Sequence, residues 1–268
     1  MAVRTFYWDP VVRGFRRYFS RPSFRTGNAG DLLNRDLVRH LYNVEPQNVE
    51  HGGRRLLLVG SVIHRMEDGD IVTGVGTKGV TVPSPRETGE VDIRGVRGPI
   101  TQEALDKAGH DVSRIAFHAD PGLLVQELYP MESGQLPVPG RGIFIPHYRD
   151  RAEYRRLQDI KVIDIDCQPS QLASEIAQAE YVLTSSLHGL IFAHAIGRPV
   201  RLIAPIHSEP MVKYEDYVAS VGLVWRKPVD IETALRESKP DSPEDITFDR
   251  GAVKFPTYEE LRSNRVAE

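Results

Sequence analysis

The chain has 268 residues, of which 40% are hydrophobic and 26% charged, and its net charge is −3. That balance suits a globular protein rather than a disordered one and gives no global attraction to nucleic acid or to an anionic membrane, so any basic site must be local. A single cysteine, Cys167, excludes an intrachain disulfide and fits a reducing compartment.

At about 150 residues per domain the length suggests two domains. No run approaches the roughly 20 apolar residues of a membrane span, and the N-terminus lacks the apolar core of a signal peptide. A soluble, cytoplasmic protein is therefore expected. Metal-ligand spacings such as C-x-x-C or H-E-x-x-H do not occur.

In chain order, residues 5–8 read as a first strand. The next stretch, residues 11–25, is rich in arginine (Arg13, Arg16, Arg17, Arg21 and Arg25) and reads as a solvated surface. Gly27-Asn28-Ala29-Gly30-Asp31 allows a tight turn and close ligand approach, with Asp31 placed to cap a helix over 32–41. Residues 55–63 form a continuous apolar run of parallel-sheet type, and 71–76 and 91–96 predict further strands. A helix is expected over 101–108 and a strand over 115–118. Arg94 and Arg97 flank glycines at a strand-to-helix turn, which suits an anion.

Residues 129–140 hold three prolines and two glycines and form the best linker candidate. It divides the chain into residues 1–133 and 140–268. Beyond it, strands over 142–146, 161–166, 181–183 and 200–203 alternate with helices over 151–158, 170–179, 187–196 and 214–221. This pattern implies a parallel sheet covered on both faces. The tail over 238–249 reads as irregular, followed by a last helix over 258–266 with the option of crossing back to the first half.

Residues 181–200 carry the strongest chemical signal. A buried strand leads into Thr184, Ser185 and Ser186, hydroxyl residues placed as helix caps. Leu187, Ile191 and Ala195 recur every four residues on the helix that follows, and Gly197 and Pro199 stop it. The start of such a helix offers free N–H groups to an anion, most simply a phosphate. His188 stands in the first turn, and Gly189 beside it leaves room for a ligand.

The order hydroxyl-hydroxyl-Leu-His-Gly, ending in Ala-x-x-x-Gly-x-Pro, resembles the signature of the polysaccharide pyruvyltransferase family. Five more pieces resemble the family in the right order: Asn28-x-Gly30-Asp31, Arg97-Gly98-Pro99-x-Thr101, Asp120-Pro121-x-Leu123-Leu124, Pro146-His147-Tyr148 and Lys213-Tyr214-x-Asp216-Tyr217. The likeness is nearest to the short bacterial exopolysaccharide ketalases of the succinoglycan type. It implies a glycosyltransferase type B-like α/β fold, with two Rossmann-like domains facing a cleft. It also implies transfer of pyruvate from phosphoenolpyruvate onto two sugar hydroxyls as a cyclic ketal, with phosphate released and with no metal or redox cofactor required.

On that reading His188 is the catalytic acid or phosphate contact. Asn28, Asp31, Arg94, Arg97, His147, Ser185, Ser186 and Gly189 bind substrate. The partners implied are phosphoenolpyruvate and a sugar or lipid-linked oligosaccharide, and a lipid-linked acceptor would bring the protein peripherally to a membrane. Some family members carry Arg where this chain has Ser186, so an anion contact made there must come from another residue or be absent. The alternatives are a nucleotide-sugar glycosyltransferase, with Glu209 on a ribose, and a non-catalytic glycan- or phosphate-binding relative.

Overall fold

The computed structural model describes residues 1–11 and 24–268; Arg13, Arg16, Arg17 and Arg21 of the arginine-rich stretch lie outside them. The first half runs β1 (Ala2–Thr5), α1 (Ala29–Tyr42), β2 (Glu45–Asn48), β3 (Leu56–Leu57), β4 (Ile71–Thr73), α2 (Pro85–Thr88), β5 (Asp92–Val96), α3 (Pro99–Lys107) and β6 (Phe117–His118). Two short helices, α4 (Val125–Leu128) and α5 (Pro130–Ser133), lead into the second half. That half runs β7 (Gly142–Ile145), β8 (Lys161–Val162), α6 (Pro169–Ala177), β9 (Tyr181–Thr184), α7 (Leu187–Ile196), β10 (Val200–Leu202), α8 (Val212–Ser220), α9 (Ile231–Arg236) and α10 (Tyr258–Ser263).

The strands pair in parallel throughout and form two sheets, ordered β2-β1-β3-β4-β5-β6 and β10-β9-β7-β8. The chain is thus a mixed α/β protein with Rossmann-like parallel sheets. β9 shows why: Tyr181, Val182, Leu183 and Thr184 are all buried, the uninterrupted run that a sheet covered on both faces demands. The sheets share no hydrogen-bonded strand, yet one apolar cluster joins them. Leu33 and Leu37 of α1 pack with Leu172 and Ile176 of α6, Leu187 and Ile191 of α7, and Tyr214 and Tyr217 of α8. The chain end returns to the first sheet, where Arg4 N donates to Val266 O at 2.8 Å. Among the described residues, no helix is long and apolar enough to cross a membrane.

Several elements differ from expectation. β1 ends at Thr5, and Phe6 and Trp8 leave the sheet to line a cavity beyond it. α1 begins at Ala29, so Gly30 and Asp31 fall inside its first turn and the cap is Asn28, whose side chain accepts from Gly30 N at 3.0 Å. The expected strand over 55–63 shortens to Leu56–Leu57, because Val59 and its neighbours bend away toward the cavity; Asn34 holds that bend by bonding both Val59 N and Val59 O. The expected helix over 151–158 is a single 3₁₀ turn, Glu153–Arg156. α9, capped by Asp230, arises where no helix is expected.

Candidate active site

A cavity of about 260 Å³ lies beyond the carboxyl ends of strands from both sheets. Phe6 and Trp8 follow β1, Gly60, Ser61, Val62, His64 and Arg65 follow β3, and Lys78 follows β4. From the other half, His147 to Arg149 follow β7, Ser186 to His188 follow β9, and Glu209 and Lys213 follow β10. Asn28 and Asp31 enter from the start of α1. Ligands in open parallel sheets bind at this end of the strands, because the loops there are free to diverge.

Thr184, Ser185 and Ser186 set the floor. Thr184 Oγ1 donates to Ile145 O at 2.9 Å and accepts from Ser186 N at 3.0 Å. Ser185 Oγ accepts from His147 N at 2.8 Å, and its carbonyl accepts from the Tyr214 hydroxyl at 2.7 Å. Ser186 caps α7 by accepting from Gly189 N at 3.5 Å. Each hydroxyl is thus engaged with protein. The N–H groups of Leu187 and His188 have no partner among the described residues, and both residues line the cavity, leaving two free donors at a helix N-terminus.

His188 packs directly on Gly30: a Cβ there would lie 1.9 Å from His188 Nδ1. The glycine of the N-terminal turn therefore admits the imidazole rather than a substrate. His188 Nε2 is buried without a partner among the described residues. Burial, with the positive fields of Arg97 and Lys213, holds the ring down at about 3, so it is neutral. Asp31 is shifted the other way. Burial pushes its carboxyl up to about 7 against the pull of Lys213 and Lys78. Two titratable groups whose environments drive them apart, in one cavity, are the usual mark of an acid–base pair.

The remaining wall is cationic: Arg65, Lys78, Arg149 and Lys213 line it, against the carboxyls of Asp31 and Glu209. Lys213 Nζ donates to Glu209 Oε1 and lies 3.3 Å from His147 Nε2. Burial and Lys213 hold His147 down at about 3. Burial would raise Glu209, but Lys213 and His207 bring it down to about 2. Both Glu209 oxygens are thereby engaged, which leaves them poorly placed for a ribose.

Of the residues singled out from sequence, Asn28, Asp31, His147, Ser186 and His188 line this cavity. Four do not. Arg94 lies elsewhere, bonded to Asp92 at 2.7 Å and Glu260 at 2.8 Å. Arg97 is fully buried and committed to Asp216 (3.1 Å), Ser61 (2.7 Å) and Thr77 O (2.5 Å). Ser185 is occupied in placing His147, and Gly189 is small because a Cβ would meet Thr184 Oγ1 at 2.4 Å. The sequence reading missed Arg65, Lys78 and Arg149, which lie outside every recognisable motif. It also missed Lys213, although its motif was seen; a lysine three residues before an internal aspartate was the available signal.

Residues 88–208 match the family described as polysaccharide pyruvyl transferase. The uncharacterized protein L143 of Acanthamoeba polyphaga mimivirus is 30% identical over 210 residues, covering 73% of this chain and 71% of that protein. Succinoglycan biosynthesis protein ExoV of Rhizobium meliloti (strain 1021) is 28% identical over 213 residues, covering 75% of this chain and 63% of that protein, so the match spans less than two thirds of its length. No solved structure matches significantly.

Proposed function

The chain belongs to the polysaccharide pyruvyltransferase family, and from that premise we propose that it moves pyruvate from phosphoenolpyruvate onto two hydroxyls of a glycan sugar, forming a cyclic ketal. The observation that carries this reading is the pairing of Asp31, pushed up to about 7, with neutral His188 in one cation-walled cavity. In this reading the two sheets are Rossmann-like domains of the glycosyltransferase type B arrangement, divided between residues 133 and 140.

Phosphoenolpyruvate brings a phosphate and a carboxylate, which call for cations and N–H donors. Lys78, Lys213 and Arg149 supply charge, and the free N–H groups of Leu187 and His188 supply donors. Lys78 and Arg65 take over the anion contact that Arg makes in relatives where this chain has Ser186. Asp31, whose carboxyl burial pushes up to about 7, gives its proton to the methylene carbon, and the neighbouring carbon becomes electrophilic. The first sugar hydroxyl adds there while His188 takes its proton. The second hydroxyl then forms the other C–O bond, the C–O bond to phosphate breaks, and its proton leaves with phosphate. Solvent carries the proton held by His188 back to Asp31. The acid role thus passes from His188, which is neutral here, to Asp31.

The test is phosphate release from phosphoenolpyruvate with candidate lipid-linked oligosaccharides, read together with the mass of the product. A gain of pyruvate with loss of water supports the reading. A gain of hexose from a nucleotide sugar replaces it with glycosyl transfer, and binding without phosphate release replaces it with a non-catalytic role.

A further inference from the structure

His147 and Glu209 of the cavity wall and His207 beside them bring three donor atoms within 4.8 Å of one another. We infer that they form a binding site for a divalent ion of zinc-like character. Two imidazoles and one carboxylate suit Zn²⁺ or Co²⁺ rather than Mg²⁺ or Ca²⁺. A tetrahedral ion with bonds of about 2.1 Å holds its ligands about 3.4 Å apart. His207 Nε2 lies 2.9 Å from Glu209 Oε2 and His147 Nε2 lies 3.7 Å from Glu209 Oε1, so each imidazole stands against one oxygen of the same carboxylate.

The surroundings favour such an ion. Buried Asp150 sits 2.6 Å from His207 Nδ1 and also accepts from Ile206 N at 3.0 Å. That carboxylate can hold a proton on Nδ1 and leaves Nε2 facing Glu209, the arrangement that orients histidine on a metal. A lone pair and a carboxylate oxygen 2.9 Å apart repel unless a cation, either a proton or a metal ion, lies between them. On the other side, Arg149 N reaches His147 Nδ1 only at 3.4 Å, a weak contact to give up when Nε2 takes a metal. Lys213 Nζ already lies against His147 Nε2 and Glu209. Ammonium and metal therefore compete for the same lone pairs.

This competition makes the proposal testable without substrate, so its outcome is separate from that of the pyruvyl-transfer reading. Purified protein is titrated with Co²⁺, following visible d–d absorption, and with Zn²⁺ by calorimetry. One ion per chain is expected. His207→Gln and Glu209→Gln should each weaken binding at least tenfold, with melting temperature confirming the fold, whereas Lys213→Met should tighten it. The inference is overturned if no cobalt spectrum appears, if the spectrum is unchanged in both glutamine variants, or if Lys213→Met weakens binding.

Discussion

Arg97 and Asp31 are both ionisable groups set inside the protein on neighbouring sides of one loop. Arg97 donates to Ser61, and the Asp31 carboxyl lies 3.7 Å from the Cβ position of Gly60. Their surroundings differ completely. Arg97 meets Asp216, which also accepts from Thr101 N at 2.9 Å and Thr101 Oγ1 at 2.6 Å, and each group in the clasp is satisfied. The Asp31 carboxyl accepts no hydrogen bond from the described residues, and His188 Nε2 beside the same cavity is equally unmatched. The clasp ties α3 of the first half to α8 of the second. Buried charge that is fully paired holds structure; buried polar groups left open to a cavity are available for chemistry.

The largest effect should come from Asp31→Asn, which keeps the shape but removes the acid. Turnover is expected to fall by about 10² to 10⁴-fold with little change in fold, measured as phosphate release beside melting temperature. Near-normal turnover would return the acid role to another group. Wild-type turnover should also decline as pH rises through about 7, where Asp31 loses its proton.

Breaking the clasp should do the reverse. Asp216→Ala leaves the Arg97 guanidinium buried without its carboxylate, which typically costs about 3–5 kcal/mol of stability. Denaturant unfolding checks this. Arg97→Ala is expected to lower stability in the same manner rather than to raise the Michaelis constant for phosphoenolpyruvate, because Arg97 does not reach the cavity. A pure change in that constant would mean that Arg97 reaches the donor.

Gly30→Ala joins the two regions. Its methyl would meet His188 Nδ1 at 1.9 Å, so the ring must move, at about 1–3 kcal/mol, and turnover should fall with it. Unchanged turnover would mean that the position of His188 is unimportant. Lys78→Met, a change at the cavity wall, should raise the Michaelis constant for phosphoenolpyruvate about tenfold, or about 1.4 kcal/mol.

The smallest effect is on stability against pH. Asp31 has a folded pKa of about 7 against an ordinary 3.8, so the folded state keeps a proton that the unfolded chain has lost across that window. Stability therefore falls as pH rises from about 4 to about 7. Asp31→Asn should remove that loss, a gain of about 1 kcal/mol near pH 8 over wild type, read as a melting-temperature difference that vanishes below about pH 4. The figure is well under the full shift because Asp31 is only half-buried, so solvent screens its charge.

The sequence by itself determined the parallel α/β character, because uninterrupted apolar runs such as residues 181–184 fit only strands covered on both faces. It also determined the start and stop of α7, since Ser186, Gly197 and Pro199 act within a turn of where they stand. It brought out His188 and Asp31 as members of motifs. Tertiary structure decided what those motifs do. Arg97 reads as an anion ligand until Asp216, 119 residues away, is found against it, and Gly30 reads as a ligand loop until the His188 ring fills its space. The cationic wall of Arg65, Lys78 and Arg149 carries no local pattern, because it is assembled from loops after different strands. Capping and periodicity act over a few residues and can be read from a string. Pairing and desolvation depend on which distant groups share a volume, and only the folded chain fixes that.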